Sequence, residues 1–296
     1  MLKICLLFHL VVVLKAFPDT NFDLVRKEYN SILNKPYVLL PHKGSYLLPI
    51  SYNSNPNEDV YNVLYNENTR GRGDYYLHSE AEFQISFMTL TGRRLFGTEF
   101  NLFLGYTHEA WWQLYNEEWS RPFRESNYSP EIFARRMLEN TWEVLGGKVV
   151  AYDVGFVHQS NGQTQELSRS WNRWFFRFAA LYGEIFMRAT VWSRVPEESD
   201  RDDNPDITKY MGYGELKFDR LFSKARFGTR IVPGTEKQGI ELSYSYPWQE
   251  GLRYYIKLGY GYGLNLIDYN HKTERIGFGI SLTDIVSASS KELLGN

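Results

Sequence analysis

Along most of this chain apolar and polar side chains alternate with period two, in segments about 9–12 residues long, with no run of 18 or more apolar residues. From Tyr182 to Ser193, Ile185, Met187, Ala189 and Val191 share one face, while Glu184, Phe186, Arg188, Thr190 and Trp192 share the other. In 252–262, Leu252, Tyr254, Ile256, Leu258, Tyr260 and Tyr262 oppose Arg253, Tyr255, Lys257 and Gly259. In 274–285, Ile276, Phe278, Ile280 and Leu282 oppose Arg275, Gly277, Gly279 and Ser281. Neighbouring side chains on a strand point to opposite faces, so each segment is a strand with one apolar and one polar face.

Soluble sandwiches also alternate, and three features favour a membrane barrel instead. The segments have the length a tilted strand needs to cross a bilayer, about twice that of an ordinary soluble strand. Aromatic residues gather near segment ends (Trp111, Trp112, Tyr244, Tyr246, Tyr260, Tyr262), where an interfacial girdle requires them. The polar face repeatedly carries cations, among them Arg173, Arg177, Arg188, Lys224, Arg226 and Arg230, which suits an aqueous interior. The fold expected is all-β, a single-chain transmembrane antiparallel β-barrel of about 12 strands. The segments are 45–53, 79–90, 98–112, 130–140, 147–158, 171–181, 183–194, 208–219, 222–232, 239–247, 252–262 and 274–285. Long connections at 54–78, 113–129, 159–170, 195–207 and 263–273 alternate with short ones, which predicts external loops, periplasmic turns and both chain ends in the periplasm.

The N-terminus reads as an export signal: Lys3, an apolar run from Ile4 to Leu14, and Ala16 as the last residue removed. The expected organisation is a signal at 1–16, a periplasmic segment at 17–44, the barrel at 45–286 and a tail at 287–296. Cys5, the one cysteine, falls in the signal, so the remainder has no disulfide, thiolate zinc site or thiol nucleophile. With 33 Lys plus Arg against 35 Asp plus Glu and no basic run, nucleic acid is not an expected partner.

One hairpin carries polar residues on its greasy face. Val150, Tyr152, Val154 and Phe156 should face lipid, and His158 and Ser160 continue that face at spacing two. On the following strand Trp174, Phe176, Phe178 and Ala180 form the apolar face, which extends back to Asn172. Polar groups facing hydrocarbon are costly unless partnered, so they mark function. A hydroxyl beside an imidazole, with an amide to hold the ring's tautomer, is the arrangement that activates a serine. The bland alternative is that external loops contain His, Ser and Asn anyway, and that His-x-Ser arises by chance. The chain has no Gly-x-Ser-x-Gly elbow and no His-Glu-x-x-His, and His42, His78, His108 and His271 lack a serine at comparable spacing.

The run His158-Gln-Ser160-Asn-Gly162, followed by Ser168-Arg-Ser-Trp-Asn172-Arg, closely resembles the active-site hairpin of the outer-membrane phospholipase A family. So do Trp111-Trp-Gln-Leu with Pro122-Phe-Arg-Glu-Ser-Asn-Tyr, the stretch Asp202-Asp-Asn-Pro-Asp-Ile-Thr-Lys-Tyr-Met-Gly-Tyr213, and Gly261-Tyr-Gly-Leu-Asn-Leu-Ile-Asp-Tyr-Asn270, in order along the chain. The resemblance implies a calcium-dependent phospholipase of a Gram-negative outer membrane, with A1/A2 and lysophospholipase activity, its site at the external leaflet. It implies Ser160 as nucleophile, His158 as general base and then acid, Asn172 as the orienting member, and the Gly162 N–H as an oxyanion donor. It places Ser168, Gln163 (through its carbonyl, where the family commonly has Arg) and the partner subunit's Ser120 on Ca²⁺, with Asp203 at a separate calcium site of the monomer. It also implies an active homodimer, with His108 where the family has an interfacial glutamine. Two other functions remain open, a porin-like or structural barrel and a deacylase of lipopolysaccharide. Regioselectivity and head-group preference are not legible.

Overall fold

The computed structural model describes residues 39–282 together with 27, 29–31 and 33; the expected signal and tail lie outside the described residues. One antiparallel sheet contains β1 (Leu40–Pro41), β2 (Tyr46–Asn53), β3 (Ser79–Gly92), β4 (Asn101–Trp112), β5 (Phe123–Val144), β6 (Gly147–Ser160), β7 (Ser170–Tyr182), β8 (Ile185–Arg194), β9 (Gly214–Phe222), β10 (Ala225–Pro233), β11 (Gln238–Gln249), β12 (Leu252–Gly261) and β13 (Thr273–Leu282). Each strand from β2 to β13 pairs with its chain neighbours, and β13 pairs with β2 to close a twelve-stranded barrel. Closure satisfies every strand edge, which a sheet in lipid requires. β1 adds two residues beside β3, through Leu40 opposite Met88 and Pro41 opposite Phe87.

The expected alternation is the observed one. Leu47, Ile85, Leu104, Val154, Trp174, Phe176, Val191, Leu258 and Phe278 are outward and exposed, hence lipid-facing. The inward residues form ion pairs: Arg135 and Arg177 with Asp153, Arg177 with Glu131, Arg230 with Glu215 and Glu241, and Lys257 with Glu82 and Glu241. Arg173, Arg177, Arg188, Arg226 and Arg230 line an interior cavity of about 200 Å³. Lys224 does not; it lies in the β9–β10 turn and offers its carbonyl to Arg253. Within the 17–44 stretch, Tyr29 packs with Phe103, Phe133 and Phe175, and His42 bonds the inward Glu131, so these residues sit inside the barrel.

Two strands depart from expectation. β5 starts at Phe123 rather than residue 130, because Glu125, Asn127, Ser129 and Glu131 keep the alternation but are all polar and all buried inward. Further down, residues 132–139 alternate poorly in sequence, and there the strand carries a register shift between Met137 and Trp142 opposite β6. The segment 208–219 begins with a short helix, Thr208–Met211, before β9. Ile207 and Met211, four residues apart, fall on one helical side and are buried against Trp171, Val232, Leu266 and Tyr269.

Candidate active site

β6 and β7 form the site. Their register sets His158 opposite Asn172 and Ser160 opposite Ser170, at the end of both strands beside the 161–169 loop. Gln159, between the two catalytic candidates, points inward, where its Oε1 accepts from the Trp171 and Arg173 side chains. Because Gln159 is anchored inside, pleating directs His158 and Ser160 outward. The expected lipid-side convergence is therefore present. A register shift between Val149 and Ala151 buries Val150 at the far end, while Val154 and Phe156 stay on the lipid face.

His158 Nδ1 lies 2.9 Å from Asn172 Oδ1. With Nδ1 as the donor, Nε2 becomes the basic nitrogen. Ser160 follows on the same face, its Cα about 6.6 Å along the strand. No hydrogen bond among the described residues joins the two, a contact that commonly tightens only when substrate binds. Asn172 Nδ2 faces Glu197 Oε1 at 3.5 Å.

The turn after Ser160 is built around a buried asparagine. Asn161 Oδ1 accepts from the N–H groups of Gln163 (3.3 Å) and Arg169 (2.9 Å), and its Nδ2 donates to the Leu167 carbonyl (2.8 Å) and to Glu125 Oε2 (3.2 Å). Gly162 then adopts φ +66°, and a Cβ there would meet the Tyr128 ring at 3.2 Å, so glycine is required. The Gly162 N–H has no partner among the described residues and is free to bond a developing oxyanion.

Ser168 Oγ donates to Asp203 Oδ2 at 2.5 Å, which puts the acid expected at the separate monomer site beside a residue expected at the dimer site. The Gln163 carbonyl lies in the same turn. Ser120 lies in another loop, exposed, at φ +59°, with its N–H on the Glu117 carbonyl. Among the described residues no group of three or more His, Cys, Asp or Glu side chains could hold a metal. Hydroxyl, carbonyl and single carboxylate oxygens are still hard donors that fit Ca²⁺, which fills its shell with water.

His108 projects outward on β4. Its ring stacks on Tyr128 at 4.7 Å and meets Phe83 edge-on at 5.5 Å, and its Nε2 is buried without a hydrogen-bond partner among the described residues. Tyr128 is the cross-strand partner of both His108 and Ser160, so His108 and the β6–β7 hairpin share one level on one outer face.

The residues that brace this hairpin were not singled out from the sequence. Arg124 is wholly buried over the barrel mouth, bonded to Glu80 (2.9 Å), Asp268 (2.9 Å) and Tyr61 (3.0 Å), with the Tyr76 ring 3.9 Å from its guanidinium carbon. Burial alone would raise the Asp268 carboxyl, but Arg124 and the Asn265 amide hold it below its usual range. Glu125 accepts from Asn127, from Asn161 and from the Ile267 N–H, tying the 262–272 loop to the turn after Ser160. The only signal was indirect, since Arg124, Glu125 and Asn127 belong to a quoted motif.

Comparison with known proteins agrees with this geometry. A family model described as "Phospholipase A1" matches residues 24–282. A putative phospholipase A1 of Neisseria meningitidis serogroup B is 35% identical over 269 residues, 89% of this chain and 69% of the relative. Phospholipase A1 of Escherichia coli K12 is 34% identical over 258 residues, 85% of this chain and 84% of the relative. Among solved structures, outer membrane phospholipase A from Escherichia coli is 34% identical, with TM-score 0.74 over 84% of this chain and all of that one. The calcium-bound dimer of the Salmonella typhi outer membrane phospholipase is 33% identical, with TM-score 0.76 over 87% of this chain and 97% of that one. With its barrel closed and its polar hairpin turned to lipid, this chain belongs to the phospholipase A1 family of outer-membrane enzymes.

Proposed function

We propose that this protein hydrolyses acyl esters of phospholipids and lysophospholipids at the external leaflet by a Ser160–His158–Asn172 mechanism, dependent on Ca²⁺ and on dimerisation. The observation that carries it is the outward His158–Asn172 pair at 2.9 Å, with Ser160 next on the same lipid-facing row. An acyl chain descending from Ser160 would lie along Phe156 and Trp174, whose rings pack at 5.0 Å on the lipid side. A lipid ester thus reaches the nucleophile without leaving the bilayer.

In the mechanism, Ser160 Oγ attacks the ester carbonyl as His158 Nε2 takes its proton. The His158 Nδ1–H donates to Asn172 Oδ1, which holds the ring and its tautomer. The Gly162 N–H receives the oxyanion, and the protonated imidazole returns its proton to the departing glycerol oxygen. Water, deprotonated in turn by His158, releases the fatty acid and regenerates Ser160. Ser168, the Gln163 carbonyl and the partner subunit's Ser120 would hold Ca²⁺ in the dimer, and Asp203 would serve the separate calcium site of the monomer. A bound Ca²⁺ would supply polarisation of the ester carbonyl and added oxyanion stabilisation, which matters because a neutral Asn stabilises imidazolium less than a carboxylate does.

The unpartnered His108 Nε2, level with Ser160, supports placing the dimer interface on this face. Residues 1–16 are proposed as the cleaved export signal. The test is hydrolysis of phosphatidylcholine in detergent micelles with Ca²⁺ and then with chelator, for wild type and Ser160→Ala. Activity that needs both calcium and Ser160 supports the reading; calcium-independent hydrolysis surviving in Ser160→Ala refutes it. The porin alternative predicts ion conductance in planar bilayers and no hydrolysis.

A further inference from the structure

The Asn172 amide has an acceptor end and a donor end, and only the acceptor end serves His158. Which way the amide faces is set by what its Nδ2 donates to. That partner is Glu197 Oε1 at 3.5 Å, from the segment just past β8. The segment is tied to Asn172 through the backbone as well, by the Val195 N–H donating to the Asn172 carbonyl at 2.8 Å. Arg194 holds the carboxylate from its other side, 3.8 Å from Oε2, and is itself anchored by Asp202 (2.6 Å) and by the Asn204 carbonyl (3.2 Å).

We propose that Glu197 is a positioning residue for the catalytic hairpin: its carboxylate accepts from Asn172 Nδ2, turns Oδ1 toward His158, and sets a negative charge behind a neutral orienting residue. Donation from Nδ2 to a carboxylate pushes electron density toward Oδ1 and strengthens its acceptance from Nδ1–H. The line Glu197–Asn172–His158–Ser160 thus gives imidazolium part of the stabilisation that a directly bonded carboxylate would give. Burial pushes the Glu197 carboxyl up and Arg194 opposes that, so Arg194 helps keep it anionic.

The inference rests on Ser160, His158 and Asn172 acting as proposed above. The experiment measures kcat and KM for phosphatidylcholine in micelles with Ca²⁺, for wild type, Glu197→Ala, Glu197→Gln, Asn172→Ala, Asn172→Ala/Glu197→Ala and Ser160→Ala. Folding of each is checked by heat-modifiable gel mobility. Glu197→Ala should lower kcat about 5- to 10-fold with KM unchanged, less than the direct loss of a hydrogen bond to a charged group because the effect reaches His158 only through Asn172. Glu197→Gln keeps an acceptor of the same shape and should recover part of that loss. In the Asn172→Ala background, removing Glu197 should add less than about twofold, because its route to the imidazole is gone. An unchanged kcat in Glu197→Ala, or an equal loss with and without Asn172, overturns the proposal. If Ser160→Ala is dead while both Glu197 variants match wild type, Glu197 alone loses its role. Activity in Ser160→Ala refutes the underlying mechanism, and this inference with it.

Discussion

Replacing Asn172 by Ala isolates the weakest and most informative member of the constellation. The substitution deletes the acceptor 2.9 Å from His158 Nδ1 and leaves that N–H pointing at lipid-side space. In the ground state the lost bond joins two neutral groups, but in the transition state the donor is imidazolium. A hydrogen bond to a charged group contributes about 1.5–3 kcal/mol, which converts to about 10- to 150-fold in kcat. A triad whose third member is a carboxylate loses about 10⁴-fold on neutralisation, so the effect here should be clearly shallower. KM should change little, since Asn172 orients His158 rather than gripping lipid. The assay is fatty-acid release from phosphatidylcholine micelles at constant pH with saturating Ca²⁺. A loss as deep as that of Ser160→Ala would refute the reasoning, because it would give Asn172 a part in bond making. A loss under about twofold would refute it from the other side, because His158 would then need no orienting partner.

Ser160→Ala should remove turnover while leaving the barrel folded, read by gel mobility and hydrolysis together. Gly162→Ala forces an L residue to φ +66° and sets a methyl 3.2 Å from the Tyr128 ring, so kcat should fall at least about tenfold through loss of the oxyanion donor's position. His108→Leu deletes a buried nitrogen that has no partner among the described residues, so monomer stability in denaturant should hold or rise. Chemical crosslinking of the same variant should show fewer dimers, and an unchanged yield would remove His108 from the interface. Arg124→Met leaves Asp268 buried without its cation and Glu80 with Arg275 alone, a loss of about 3–5 kcal/mol that protease sensitivity of the loops over the barrel mouth would report. Asp268, with its folded pKa held below its unfolded value, contributes stability that is present above the unfolded pKa and fades as pH falls through the folded one. Loop protection should therefore decline in acid, and less so in Asp268→Asn.

Much of the architecture was written in local pattern. Period two, segment length and the alternation of long with short connections give the barrel, because each depends on residues adjacent in the chain and on the thickness of a bilayer. The candidate hairpin was legible for the same reason: His158 and Ser160 share a strand, and Asn172 faces them on the next strand across the 161–169 loop, so parity alone assigns their side. Parity misled where a strand kept its alternation but lost its apolar face, as in β5, whose inward Glu125, Asn127 and Ser129 resemble a loop in sequence. It misled again where apolar spacing changed from two to four, at Ile207 and Met211.

The sequence by itself determined which side of the membrane sheet His158, Ser160 and Asn172 face, since that is set by neighbours two residues away. Only the tertiary structure decided what holds them there. Glu125 meets Asn161 from 36 residues away, Arg124 meets Asp268 from 144, and Glu197 meets Asn172 from 25. No periodicity encodes such pairs. They come together because closing the barrel folds the external loops over one mouth, where buried charge must find a partner.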